Sequence, residues 1–179
     1  MVKTYSADEM LALWRLMQGY EPLRTDCLVT RTDGVDIDAL LRHEIDMWYS
    51  RMLDTAPPAK LSVTDYTSLL VPTRAPDGAA SVARPTGCRR VVEVVMEGWE
   101  REGLLVTDPT SGIARAQSSP YARGGCVDPV VLVGRNTIRL YTPPADVCRI
   151  VTFTGIAEPV AGVYRFDEGL LPFDSFDQC

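Results

Sequence analysis

The stretch Arg90-Val91-Val92-Glu93-Val94-Val95-Met96-Glu97-Gly98-Trp99 decides the fold class. Its apolar residues run almost without a break, a pattern shared by a buried helix and a buried strand. The density of β-branched valine, with Glu93 and Glu97 interleaved and Gly98 following, favours a strand. Working toward the C-terminus, Leu104 to Thr107 is expected to pair back on it across Arg101-Glu102-Gly103. Asp108 to Pro129 is rich in Ser, Gly, Pro and Ala and predicts a long loop. Val130 to Val133, Gly134-Arg135-Asn136 and Thr137 to Thr142 then form a hairpin signature. Pro143-Pro144 breaks that run, and Cys148 to Thr154 alternates again, with Ile150, Thr152 and Thr154 opposite Val151 and Phe153. Toward the N-terminus, Val71 to Gly87 contains Pro72, Pro76, Pro85 and Asp77-Gly78 and reads as a long loop or extended arm. Leu61 to Asp65 is short and β-like.

The period changes before that point. Ser6 and Glu9 have capping-box spacing, and Met10, Leu13, Trp14 and Met17 repeat at i, i+3, i+4, i+7, so a first helix is predicted up to Gly19 and Pro22. A second helix starts after Asp33-Gly34 with Asp36 as its cap. Ile37, Leu40, Leu41, Ile45, Trp48 and Met52 line its apolar face, and it stops before Ala56-Pro57-Pro58. Helices first and strands afterwards is an α+β layout: two N-terminal helices packed on a mainly antiparallel β domain with long loops. The expected organisation is one domain over 1–179, with a helical part (1–58), a β part (59–165) and an extended C-terminal arm (166–179). That arm repeats an aromatic–aspartate pair at Phe166-Asp167, Phe173-Asp174 and Phe176-Asp177.

A chain of 179 residues can bury a core of its own without a metal or disulfide staple. With 46% hydrophobic and 23% charged residues, it is neither a disordered chain nor a collagen or coiled-coil repeat. No apolar run approaches the roughly 18 residues that a membrane helix needs, and no signal peptide is visible, so the expectation is a soluble, intracellular protein without membrane contact. The 24 Asp and Glu outnumber the 18 Lys and Arg, giving a formal charge of −6, which argues against a dedicated nucleic-acid-binding module. All the cations except Lys3 and Lys60 are arginine, a bias that suits protein–protein contact.

Chemistry-bearing patterns are sparse. Cys27, Cys88, Cys126, Cys148 and Cys179 show no CxxC spacing and read as small buried hydrophobes with a free terminal thiol. His43 is the only histidine and lies off the apolar face of the second helix, so no histidine-based metal site or nucleophile pair is expected. Gly124-Gly125 belongs to neither GxGxxG nor GxxxxGK[ST] and reads as a mobile loop. With 24 acids available the sequence selects no pair for acid–base work, and Asp108 with Asp128 is singled out only by loop position. The residues alone leave three classes open: a structural assembly protein, a cytosolic protein-binding or regulatory module, and a small carboxylate-based enzyme.

A resemblance narrows these. The second helix leads into Ala56-Pro57-Pro58 and Leu61 to Asp65. A proline-led block follows, Pro85-Thr-Gly-Cys-Arg-Arg-Val-Val-Glu-Val-Val-Met-Glu-Gly-Trp-Glu-Arg. Then come Gln117-Ser-Ser-Pro-Tyr-Ala-Arg-Gly-Gly, Asp128-Pro129-Val130 and Ile138-Arg-Leu-Tyr-Thr-Pro. In this order of features the stretch from Asp36 to Leu171 resembles small virion proteins of tailed bacteriophages, of the head–tail connector or ring-adaptor type. The resemblance implies a homo-oligomeric ring, twelvefold, between the portal and the tail, made in the host cytoplasm and ending in the virion. It implies no catalysis and no cofactor. Portal and tail or other ring proteins would be the partners, with DNA passing nearby without specific binding. The candidate subunit-interface residues are Arg74, Arg84, Arg89, Arg90, Tyr121, Arg123, Phe166, Phe173 and Phe176.

Overall fold

The computed structural model describes residues 1–19, 36–119, 121–144 and 148–172. In chain order the elements are β1 (Val2–Ser6), α1 (Ala7–Met17), α2 (Ile37–Thr55), β2 (Val63–Asp65), β3 (Thr73–Arg74), β4 (Ala80–Ala83), β5 (Cys88–Met96), β6 (Leu104–Val106), α3 (Gly112–Ala116), β7 (Val130–Val133), β8 (Thr137–Leu140), β9 (Ile150–Ala157) and β10 (Val163–Asp167). The class is α+β, and every described strand pairing is antiparallel except β6 with β7. The chain gathers into two units, Met1–Ser62 with Pro159–Cys179, and Val63–Glu158.

In the first unit the helix ends are made by local side-chain hydrogen bonds. The Ser6 hydroxyl accepts from the Glu9 N–H while the Glu9 carboxylate accepts from the Ser6 N–H, which together satisfy two donors that a helix start leaves unpaired. Asp36 accepts from the Ala39 N–H in the same way, and α2 ends at Thr55, with Ala56 as its C-cap before the two prolines. The buried faces differ in detail from the predicted stripes. Leu11 is buried on α1 where Leu13 and Met17 are only half-covered, and Tyr49 and Leu53 are buried on α2 while Leu40 is exposed.

What the helices pack on is the ribbon of β1 and β10, with Thr4 opposite Arg165. Phe166 sits at the centre of this core. Tyr5 stacks on it at 5.2 Å, and the Trp48 ring meets it edge-on at 5.2 Å. Tyr49 and Tyr164 add a T-shaped pair at 5.1 Å. The stretch from Phe166 therefore begins as strand rather than as an arm, because β1 supplies hydrogen-bond partners from the other end of the chain.

The second unit holds a three-stranded sheet, β2-β9-β5, and a five-stranded sheet, β3-β4-β8-β7-β6. Val91, Val94, Met96, Ile150 and Phe153 of the first sheet share one core with Ala80, Val82, Val131, Ile138 and Leu140 of the second, so the two sheets pack face to face. On the outer side of the larger sheet, Ala79, Val106, Val130 and Tyr141 are covered by Ala114 of α3.

β5 is a strand, as its valines predict, but its buried positions are Cys88, Val91, Val94 and Met96. The three-residue spacing comes from two irregularities, between Cys88 and Arg90 and between Val91 and Glu93, where an extra residue of β5 has no partner on β9. Each bulge moves the following side chains to the other face. A third, opposite Val95 and Met96, leaves Val151 unpaired and brings Ile150 and Phe153 to the same side, against the simple alternation expected there.

Three further expectations are corrected. The segment 71–87 contains the hairpin β3–β4, because Pro72 and Pro85 bracket its strands and Pro76-Asp77-Gly78 forms its turn. There Gly78 has φ +80° and the Asp77 carboxylate accepts from the Ala79 N–H. β6 pairs in parallel with β7, Leu104 opposite Val130, instead of folding back on β5. The segment 108–129 contains α3, capped by the Ser111 hydroxyl accepting from the Ala114 N–H.

Several of these caps and turns share a chemistry that sets the response to acid. Glu9 is held below the usual carboxylate range by the Ser6 N–H, Asp65 by the Thr67 side chain and N–H, Asp77 by the Ala79 N–H, and Asp108 by the Thr110 side chain and N–H. A carboxylate whose folded-state pKa is depressed contributes stability that is complete above its unfolded value, about 4, and is lost as pH falls through the folded value. The urea midpoint is therefore expected to be lower at pH 3 than at pH 6. An unchanged or higher midpoint at pH 3 contradicts this.

Candidate interaction surfaces

Of the candidate arginines, Arg84 and Arg89 share one pocket with Arg135, and Arg123 lies in a separate cluster. Arg84, Arg89 and Arg135 line a pocket of about 430 Å³ together with Pro85, Thr86, Cys88, Asn136 and Glu158. It is built by the turn that enters β5. The Cys88 N–H donates to the Pro85 carbonyl across Gly87, whose φ of +78° only glycine adopts easily. The Gly87 carbonyl accepts from the Glu158 N–H at 2.7 Å, and the Arg84 N–H donates to the Asn136 carbonyl at 2.9 Å. Arg84 then turns its guanidinium onto the same turn, donating from Nε to the Cys88 carbonyl at 2.9 Å and from Nη2 to the Arg89 carbonyl. Arg89 lies 3.6 Å from the Glu158 carboxylate.

Arg123 belongs to the other group. Its side chain is 8% exposed, with Nε donating to the Gln117 carbonyl and Nη1 to the Asp77 carbonyl, both at 2.7 Å. The Asp77 carboxylate pairs with Arg123 at 3.4 Å and also with Arg139. Both guanidiniums lie over the Tyr141 ring, 5.7 and 5.6 Å from its centroid. This cluster ties the β3–β4 turn to the segment after α3, and Arg123 acts here as an internal brace.

The remaining candidates are dispersed. Arg74 donates to the Pro144 carbonyl, Arg90 is half-buried on β5, and Tyr121 is wholly exposed. Phe166 presents no surface, and Phe173 and Phe176 lie outside the described residues. Of the polar residues considered for chemistry, His43 is exposed on α2, Asp108 accepts from Thr110 at 2.8 Å, and Asp128 pairs with Arg101. The Gly124-Gly125 pair has a backbone reason. A Cβ on Gly124 would stand 2.3 Å from the Asp128 carbonyl oxygen, and Gly125 has φ +70°.

No motif marked the third surface. β5 and β6 are each the last strand of their own sheet. They are joined at one end, where the Gly103 N–H donates to the Val94 carbonyl at 2.8 Å. A groove of about 600 Å³ opens beside that junction, lined by Val92, Leu104, Leu105, Pro129 and Val130, with Arg101, Glu102 and Asp128 also on its wall. Leu104 is 54% exposed there. Pairing of β6 with β7 places Leu104 and Val106 in the parallel ladder, which turns the backbone of Leu105 toward the open side.

Neither a family model, nor a curated protein, nor a solved structure matches the chain.

Among the described residues no three His, Cys, Asp or Glu side chains gather where they could hold a metal ion, and no helix is long and apolar enough to cross a membrane. The described thiols differ in environment. Burial pushes the Cys88 thiol up, whereas Cys126 and Cys148 are half-exposed. The thiolate is the reacting species, so Cys88 is expected to be alkylated by iodoacetamide more slowly than Cys126 and Cys148 in the folded protein. Peptide mapping by mass spectrometry checks the order, and fastest labelling at Cys88 contradicts it.

Proposed function

We propose that the protein is a structural assembly subunit acting through protein–protein packing, in an oligomeric ring of the head–tail connector type between the portal and the tail of a tailed phage. The observation that carries this reading is the groove between β5 and β6. Two sheets end side by side there, and an exposed leucine stands on the edge strand β6. Soluble proteins blunt or cover such edges, since they recruit other chains. A second copy of the chain is the occupant that fits a homo-oligomer, adding strand to the edge and covering Leu104. The Arg-rich, Lys-poor surface supports the same reading, because guanidinium groups pair well at interfaces. The excess of acidic residues suits a particle in which DNA must pass without sticking.

Leu104→Asp tests this. Placing a charge on an exposed position of β6 is expected to leave the urea midpoint close to that of the wild type while lowering the mass seen by light scattering at equal concentration. An unchanged oligomer mass in a folded Leu104→Asp protein removes the groove from the assembly.

A further inference from the structure

Arg84, Arg89 and Arg135 line the pocket at the entry to β5, and among its described lining residues Glu158, beside Arg89, is the only carboxylate. Arg84 is half-buried, and both of its hydrogen bonds go to backbone carbonyls, which align the guanidinium without cancelling its charge. Among the described residues no carboxylate pairs with Arg84 or with the exposed Arg135 of the β7–β8 turn. A half-buried cation lacking a counter-charge is costly to fold, and one held rigidly in place loses little entropy when an anion arrives. Thr86 and Asn136 add neutral hydrogen-bonding groups to the same wall.

We propose that this pocket is a docking site for an acidic peptide segment, and that its occupant is Phe173-Asp174-Ser175-Phe176-Asp177 of a second copy of the chain. The argument is charge complementarity. The segment carries two carboxylates and no cation, and planar guanidinium forks match carboxylates in paired hydrogen bonds. The pocket's polar wall would take Asp174 or Asp177, with the flanking phenylalanines lying outside it. A phosphate backbone is the less favoured anion, because the chain as a whole carries a charge of −6 that repels a polyanion. Docking in trans rests on the assembly reading; recognition of the acidic segment by the pocket does not.

The test is a fluorescence-anisotropy titration of the full chain into a labelled peptide of residues 170–179. Saturable binding is expected, weakened by added salt and by inorganic phosphate as competitor. Arg135→Glu, which sits on an exposed turn, is expected to weaken the peptide at least about tenfold without shifting the urea midpoint, as is a peptide carrying Asp174→Asn and Asp177→Asn. Arg84→Gln should weaken it as well; because that side chain also braces the turn, Arg135→Glu is the deciding variant. Equal affinity for Arg135→Glu and wild type overturns the proposal, as does binding of phosphate without binding of peptide. Light scattering on the same samples separates the two ideas. Assembly without peptide binding sinks the pocket and leaves the assembly reading, whereas peptide binding by a chain that stays monomeric keeps the pocket and removes docking in trans.

Discussion

Phe166→Ala is expected to lower the free energy of unfolding by about 3–5 kcal/mol, the usual cost of deleting a buried aromatic ring. The ring is fully inaccessible and packs on Tyr5 at 5.2 Å, Trp48 at 5.2 Å and Tyr49 at 6.2 Å. These neighbours come from β1 and α2, so the cavity would lie where strand and helix meet and could not collapse without moving backbone. Urea denaturation followed by tryptophan fluorescence measures the loss, with Trp48 at the site reporting directly. An exposed aromatic on an arm would cost no more than about 0.5 kcal/mol, and a loss that small would mean that Phe166 is not in the core.

Arg123→Ala carries the second large effect, about 2–4 kcal/mol. The substitution removes donors to the Gln117 and Asp77 carbonyls, breaks the pair with the Asp77 carboxylate and takes one guanidinium off the Tyr141 ring. Arg123→Lys should recover only part of the loss, since an ammonium cannot span two carbonyls and a carboxylate as the planar fork does. Thermal unfolding of the three proteins separates a brace from a contact residue. If Arg123→Ala matches the wild type in stability while losing only assembly, the residue belongs to an interface and the structural assignment fails.

Both residues show where sequence reasoning reaches and where it stops. Ser6 with Glu9 and Asp36 with Ala39 are legible because a helix cap is made between residues three apart, and its chemistry is written in adjacent letters. Gly134-Arg135-Asn136 is legible as a hairpin connection for the same local reason. Phe166 misleads because its strand partner is Lys3, at the far end of the chain, and nothing near Phe166 records that pairing. The bulges of β5 hide in a run of valines. Cys88, Val91 and Val94 are buried at a spacing that imitates a helix, and only the ladder with β9 shows which residues are left unpaired.

Prolines misled in a different way. Pro72, Pro76 and Pro85 count against regular structure when tallied over 71–87, yet each lies outside β3 and β4, where a missing N–H does no damage. The arginine-rich composition singled out a residue type but could not separate the roles of its members. Arg123 is enclosed by carbonyls and an aspartate, Arg84 is aligned by carbonyls alone, and Arg135 stands exposed. That distinction depends on which backbone oxygens the fold brings within reach. The β5–β6 groove had no sequence signal at all, since it arises where the edges of two sheets meet at one end only.

Assembly through protein–protein packing is the central functional claim, and light scattering after size exclusion tests it most directly. The full chain should be measured across a wide concentration range, alone and mixed with a portal protein. The expected result is a mass that rises with concentration toward a closed multiple of the protomer, or a stoichiometric ring on the portal. A monomer at every concentration, alone and with the portal protein present, would contradict the account.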